Sequence, residues 1–77
     1  MYICANYYYS RKRVIINMDT VELVEEMEDM DVPGKMKTRL TYSRKDNIFI
    51  EVSDPIWNIA AQVEKGSMSL VKNWKKG

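Results

Sequence analysis

Only a few side chains in this sequence are of the types that carry out covalent chemistry. The chain has one cysteine, Cys4, and no histidine. A cysteine nucleophile needs a neighbouring base, and histidine is the commonest such base as well as the commonest metal ligand. Cys4 also lies in an apolar segment that we expect to form a buried strand, where a free cysteine packs as a small hydrophobe. We therefore expect a non-enzymatic protein without a metal or a cofactor.

Carboxylates are the other candidates for acid–base chemistry, and they are concentrated in one segment. Residues 19–31 hold seven acidic side chains and no basic one. Paired carboxylates act as catalysts only where their surroundings separate their pKa values. Their spacing here does not match a calcium loop, which needs alternating oxygen ligands and a central glycine. We therefore expect the acidic segment to be a solvated face.

The clearest candidate for a binding site is an aromatic segment next to three cations. Alternation along a strand places Tyr7 and Tyr9 on the same face, and Arg11, Lys12 and Arg13 follow in an expected turn. Exposed aromatic rings beside cations suit the stacking of bases together with the neutralisation of phosphates. They suit a protein interface equally well, since tyrosine and arginine are enriched there. An ordinary strand with a solvated turn is the third interpretation.

Two tryptophans are the remaining candidate binding residues. Trp57 lies one position away from the apolar stripe of an expected helix, so it either covers a sheet edge or is exposed. Trp74 lies among three lysines near the end of the chain and resembles a short amphipathic anchor. One helical turn buries too little apolar area to hold a membrane, so we expect this tail to dock on protein.

Length and composition favour a single small domain that associates with a second chain. The 77 residues are 45% hydrophobic and 30% charged, as in globular proteins. A domain of this size needs a disulfide, a metal or a partner chain for a margin of stability, and the single cysteine excludes an internal disulfide. We therefore expect a homodimer or a larger homo-oligomer. The unpaired cysteine and the absence of a recognisable signal or membrane segment predict a cytoplasmic protein.

Charge is strongly segregated although the net charge is only +1. Residues 1–18 carry a net charge of +3, residues 19–31 carry −7, and residues 32–46 carry +4. The near-neutral total argues against a protein that coats DNA. The alternating blocks allow opposite-charge contacts within the chain or between two copies.

The apolar pattern predicts several antiparallel strands followed by one helix. We expect strands over residues 2–9, 14–16, 35–42 and 48–52, and a helix over 54–65 that packs across the sheet. The predicted fold is therefore α+β, a small β-meander of four or five strands with one C-terminal helix. Residues 1–66 form the domain in this interpretation, and residues 67–77 form a short basic amphipathic tail.

Several side chains have specific expected places in this meander. The segment Val14-Ile15-Ile16 is apolar on both faces, which is typical of a central strand. Ile48, Ile50 and Val52 are expected to face inward from the last strand. Asp54 and Pro55 form a suitable helix start, and Gly66 is expected to end that helix.

Residues 21–30 fit both a strand and a helix. Asp19 followed by Glu22 is similar to a capping box, and Leu23, Met27 and Met30 recur at helical spacing, whereas Val21, Leu23 and Met27 also share one face of a strand. The periodicity alone does not decide between these alternatives.

Four short motifs in this order resemble those of the flagellar FlbD-type family and of short phage-encoded proteins with the same pattern. They are Ile16-Asn17-Met18-Asp19, the branched and acidic stretch 21–26, Thr38-Arg39-Leu40-Thr41, and Ile50-Glu51-Val52-Ser53 before a helix. The resemblance covers residues 13–65 and implies a small cytoplasmic protein without catalytic residues, with a strand at 21–27. This chain differs in its aromatic first strand, in the longer loop 28–35 and in its tail.

These observations predict a binding protein encoded by a phage or a similar mobile element, which acts by occupying the surface of a host protein. The alternative is a module that binds nucleic acid or a nucleotide second messenger. Both interpretations use Tyr7, Tyr9 and the three cations that follow them.

Overall fold

The computed structural model describes the backbone of residues 1–70 and the side chains of residues 1–65. Five strands, one short 3₁₀ helix and one α-helix follow each other in the order β1 (Tyr2–Asn6), β2 (Arg13–Asn17), the 3₁₀ helix (Met18–Thr20), β3 (Leu23–Glu28), β4 (Met36–Ser43), β5 (Ile48–Val52) and α1 (Ile56–Leu70). All strand pairs are antiparallel. The predicted α+β fold of four or five antiparallel strands with one C-terminal helix is therefore confirmed, with five strands.

The strands form two sheets rather than one continuous meander. Among residues 1–70, β1 and β2 pair only with each other, and β3, β4 and β5 form the second sheet in that order. A single bridge between Tyr7 and Val52 links the two. The prediction of a central β2 is wrong, since the 3₁₀ helix redirects the chain after Asn17 and leaves Ile15 73% exposed at a sheet edge.

β1 is shorter than predicted because other groups occupy its backbone beyond residue 5. The amide of Asn6 donates to the Asp54 carboxylate at 2.6 Å, and the carbonyl of Asn6 accepts from the amide of Ser53 at 2.9 Å. Alternation along β1 directs Ile3 and Ala5 into the core and Cys4 outward. The expectation of a buried Cys4 is therefore wrong, since this side chain is exposed.

The ambiguous segment forms a strand. Val24 of β3 pairs with Leu40 of β4, and Glu25 pairs with Arg39, so this part of the chain adds an edge to the second sheet. The only helical turn here is the 3₁₀ helix, where the Asn17 side chain accepts from the amide of Asp19 at 3.0 Å. Long-range pairing with β4 decides between two local periodicities that are equally good.

The hairpin of β4 and β5 contains a bulge near its loop. The register is interrupted between Thr41 and Ser43, where β4 carries one residue more than β5, so Ile48 keeps its alternation with Ile50 but lies at the loop end of the strand. Val52 is fully buried as predicted, whereas Ile48 lies beyond the bulge and is 53% exposed. The expected inward position of Ile48 is therefore wrong.

The core lies between the two sheets and the helix. It consists of buried aliphatic side chains from β1, β2, β4, β5 and α1, namely Ile3, Ala5, Ile16, Leu40, Val52 and Ile59. α1 contacts β1 and β3, which confirms the expected packing of the helix on the strands.

Both predicted ends of the helix need correction. The Asp54 carboxylate binds Asn6 instead of the first helical amides, and the Pro55 carbonyl accepts from Asn58 and Ile59. At the other end, α1 continues past Gly66 to Leu70. A glycine inside a helix costs about 1 kcal/mol relative to alanine, which weakens a helix without necessarily ending it.

Candidate functional site

The loop between β1 and β2 lies against β5 and is held by its backbone. The Tyr7 amide donates to the Lys12 carbonyl at 2.8 Å, which closes the hairpin. The Tyr8 amide donates to the Glu51 carbonyl at 2.9 Å, which ties the loop to the second sheet. The tyrosines are therefore presented from a fixed loop rather than from a regular strand.

The tyrosine rings form one cluster. The rings of Tyr7 and Tyr9 meet edge to face with centroids 5.7 Å apart, and those of Tyr8 and Tyr9 do so at 5.1 Å. A strand continued to Tyr9 would direct Tyr8 to the face opposite Tyr7 and Tyr9, but β1 ends at Asn6 and Tyr8 joins the same cluster. The Tyr9 ring is central to the cluster and is still 61% exposed.

A hydrogen bond from Tyr8 to Asp29 anchors the cluster to the acidic segment. The Tyr8 hydroxyl donates to Asp29 Oδ2 at 2.5 Å, and this bond to a carboxylate raises the pKa of Tyr8 to about 12. The same bond, together with the amide of Asp31, lowers the pKa of Asp29. Asp29 is 9% exposed, so this member of the expected solvated face is instead buried.

A buried carboxylate organises the centre of the site. Glu51 is 3% exposed and accepts hydrogen bonds from the Tyr9 hydroxyl, from Lys37 Nζ at 2.9 Å and from Arg39 Nε at 2.8 Å. Burial alone raises the pKa of Glu51, but the hydrogen bonds from Tyr9, Lys37 and Arg39 outweigh burial and hold the pKa below its ordinary value. The hydrogen bonds with Tyr9 and Glu51 raise the pKa of Lys37.

The cations of this network are therefore engaged within the protein. Arg39 donates to Glu51 and also stacks on the Phe49 ring at 3.9 Å, and Lys37 lies 5.5 Å from the rings of Tyr8 and Tyr9. These contacts position the aromatic rings and leave little of the charge of either cation for a ligand.

Sequence reasoning did not find Glu51, Lys37, Arg39 or Asp29 as site residues. A signal for one pair existed, since antiparallel pairing of β4 with β5 places Arg39 directly opposite Glu51. No local signal connects Tyr8 with Asp29, because 21 residues separate them.

The three predicted cations differ from those of the network in being unpaired. Arg11, Lys12 and Arg13 are exposed, and no ion pair reaches any of them from the side chains of residues 1–65. They follow Tyr9 at the end of the β1–β2 hairpin. We call the four side chains Tyr9, Arg11, Lys12 and Arg13 the tip surface.

The tryptophans do not join this surface. Trp57 lies in the first turn of α1 and is 68% exposed, and none of the aromatic pairs found within residues 1–65 connects it to the tyrosines. Trp74 lies outside the described residues. Within those residues there is no group of three or more side chains suited to hold a metal ion, and no helix long and apolar enough to cross a membrane.

Comparison with known proteins places no further constraint on the site: no family model, no curated protein and no solved structure matches this chain.

Proposed function

We propose that this protein is a non-enzymatic binding protein that docks through its tip surface on an acidic patch of another protein. The observation that carries the proposal is the combination of a fixed, exposed Tyr9 ring with three unpaired cations. Tyrosine and arginine dominate the energetics of many protein interfaces. A carboxylate-bearing partner complements the charge of Arg11, Lys12 and Arg13.

Preorganisation supports this use of Tyr9. Its hydroxyl is bonded to Glu51 and Lys37, and its ring packs on Tyr7 and Tyr8. A side chain that is already ordered loses little conformational entropy when a partner covers it. The resemblance to short phage-encoded proteins suggests that the partner is a host protein in the cytoplasm.

Nucleic-acid binding is the second candidate, because a phosphate backbone also complements three exposed cations beside an aromatic ring. Two points of structure favour protein. The Tyr9 ring packs edge to face with two neighbours, and the nearby Lys37 and Arg39 are already bound to Glu51. Within the tyrosine site itself, the cations left for phosphates are therefore those of the turn after Tyr9.

A capture experiment with two variants of equal charge tests the proposal. We expect the unmodified chain to capture a specific protein from nuclease-treated host lysate. The variant Arg11→Ser/Lys12→Ser/Arg13→Ser should fail to capture this protein. The control Arg44→Ser/Lys45→Ser/Lys65→Ser removes three other exposed cations, which lie outside the tyrosine cluster, and should retain it. Equal capture by the two variants would contradict the proposal.

Binding of a single-stranded oligonucleotide, followed by fluorescence anisotropy, tests the alternative. Phosphate binding weakens steeply as salt rises. Two results together would favour nucleic-acid binding over protein binding. Oligonucleotide binding would be lost only in the Arg11→Ser/Lys12→Ser/Arg13→Ser variant, and nuclease treatment would abolish capture of the protein.

A further inference from the structure

An apolar groove lies between α1, β3 and the 3₁₀ helix. Its volume is about 290 Å³, and six side chains line it, namely Met18, Val24, Ile56, Ile59, Ala60 and Val63. Ile59 is buried in the core, whereas Ala60 is exposed at the rim of the groove. All six are apolar, so this lining supplies no polar side chain that would orient a small ligand. The groove therefore suits an apolar side chain of a protein.

The chain continues past the groove along α1. Val63 is the groove residue nearest the end of the helix, and Leu70 follows it by two helical turns, about 10 Å along the axis. Two full turns return the backbone to the same side of the helix, so the chain leaves α1 on the groove side. Trp74 follows Leu70 by four residues, which span at most about 14 Å when extended. This length is sufficient for the chain to turn back and bring the Trp74 ring to the groove.

The charges around the groove complement those of the chain after Leu70. Four exposed acids and one exposed lysine lie within two residues of a groove residue, namely Asp19, Glu22, Glu26, Glu64 and Lys65. Glu26 and Glu64 make no ion pair with any side chain of residues 1–65. Residues 71–77 carry three lysines and no acid. The acidic rim therefore attracts this part of the chain and would repel an acidic segment.

We propose that residues 71–77 fold back along α1 and that the Trp74 ring fills the groove, with the three lysines beside the acidic rim. Trp74 is the only aromatic residue after Trp57, and a tryptophan buries a large apolar ring while its indole N–H stays at the open side. The lysines keep their charged ends in water and close to the acids. The tail then covers the core beside Ile59.

Fluorescence of Trp74 in the full chain tests this placement. In a Trp57→Phe background Trp74 is the only tryptophan, and acrylamide should quench it several-fold less than in the same chain unfolded in urea. Ala60→Lys places a charge in the groove and should restore strong quenching, with the circular dichroism unchanged. Ala61→Lys adds the same charge at the next exposed alanine, outside the groove lining, and should not. Quenching equal to that of the unfolded chain, or equal effects of the two variants, would overturn the proposal.

A charge reversal tests the contact with the acidic rim. In the same background, Lys75→Glu/Lys76→Glu should increase the quenching of Trp74 several-fold, because like charges then meet at the rim. Arg11→Glu/Lys12→Glu changes the net charge equally at the basic turn and should not. Equal effects of the two pairs would contradict this path of the tail. A change in quenching over a hundredfold dilution would show that the tail of another copy fills the groove and would overturn the proposal. No outside partner is needed, so the result is independent of the proposed binding function.

Discussion

At the scale of single residues, Glu51 is the group on which the site depends. The nearly buried Glu51 carboxylate accepts hydrogen bonds from Lys37, Arg39 and Tyr9. Glu51 and Lys37 together hold the Tyr9 hydroxyl in place. A charge in such a position stabilises a fold only while all of its partners are present, because a buried unpaired ion is costly.

We expect Glu51→Gln to lower the free energy of unfolding by about 1.5–3 kcal/mol, the usual range for losing hydrogen bonds to a charged group. Urea unfolding of this variant measures the loss. Glu26→Gln, an exposed carboxylate of β3, is the control and should leave the free energy nearly unchanged. Similar losses in the two variants would contradict a central role for Glu51.

The lowered pKa values of Glu51 and Asp29 predict sensitivity to acid. The ordinary pKa values of Glu51 and Asp29 are 4.5 and 3.8, and folding lowers both. The unfolded chain therefore binds protons more readily than the folded one. The contribution of the two ionised carboxylates to the free energy of unfolding is complete above their ordinary pKa values. It is lost as pH falls through their lower pKa values in the folded state. Thermal unfolding between pH 7 and pH 3 should therefore show a smaller decline for Glu51→Gln than for the unmodified chain.

The hydrogen bond between Tyr8 and Asp29 makes the stability of the fold sensitive to alkaline pH. The pKa of Tyr8 rises from 10.0 to about 12, so its contribution to stability is complete below pH 10 and is lost toward pH 12. Absorbance titration of tyrosinate should show a late step that disappears in Tyr8→Phe and persists in Tyr2→Phe. Persistence of that step in Tyr8→Phe would show that another tyrosine produces it.

At the scale of elements, α1 has one face in the core and one face in solvent. Ile59 is 1% exposed, whereas Trp57 is 68% exposed. Ile59→Ala should cost about 2–5 kcal/mol, because it leaves a cavity. Trp57→Ala should cost little stability, so any large loss of partner binding in that variant would identify a second contact surface. Chemical unfolding of both variants measures the difference.

At the scale of the whole molecule, the expected homo-oligomer would couple stability to protein concentration. A folded dimer that unfolds to two chains has a melting temperature that rises with protein concentration. We expect this rise over a hundredfold range of dilution for the unmodified chain, followed by circular dichroism on heating. A melting temperature that stays constant over this range would contradict the expected self-association.

Local patterns in the sequence determined the elements that depend on near neighbours. Alternation along β4 predicts its strand, and Ile59 and Val63 recur at the spacing of a buried helix face. The turn at Gly34, with φ of +88°, and the exposed basic turn after Tyr9 also follow from local residue types. Each of these features needs only a few consecutive residues, so a pattern in the chain is sufficient.

Tertiary structure decided everything that depends on register and on distant partners. The separation of the strands into two sheets, the pairing of β3 with β4 and the capture of Asp54 by Asn6 all depend on contacts between residues that are distant in the chain. The Glu51 network arises in the same way, from β4, β5 and the β1–β2 loop. Periodicity specifies which face of a strand is apolar, but the physical choice among possible strand neighbours is made by the packing of the whole core.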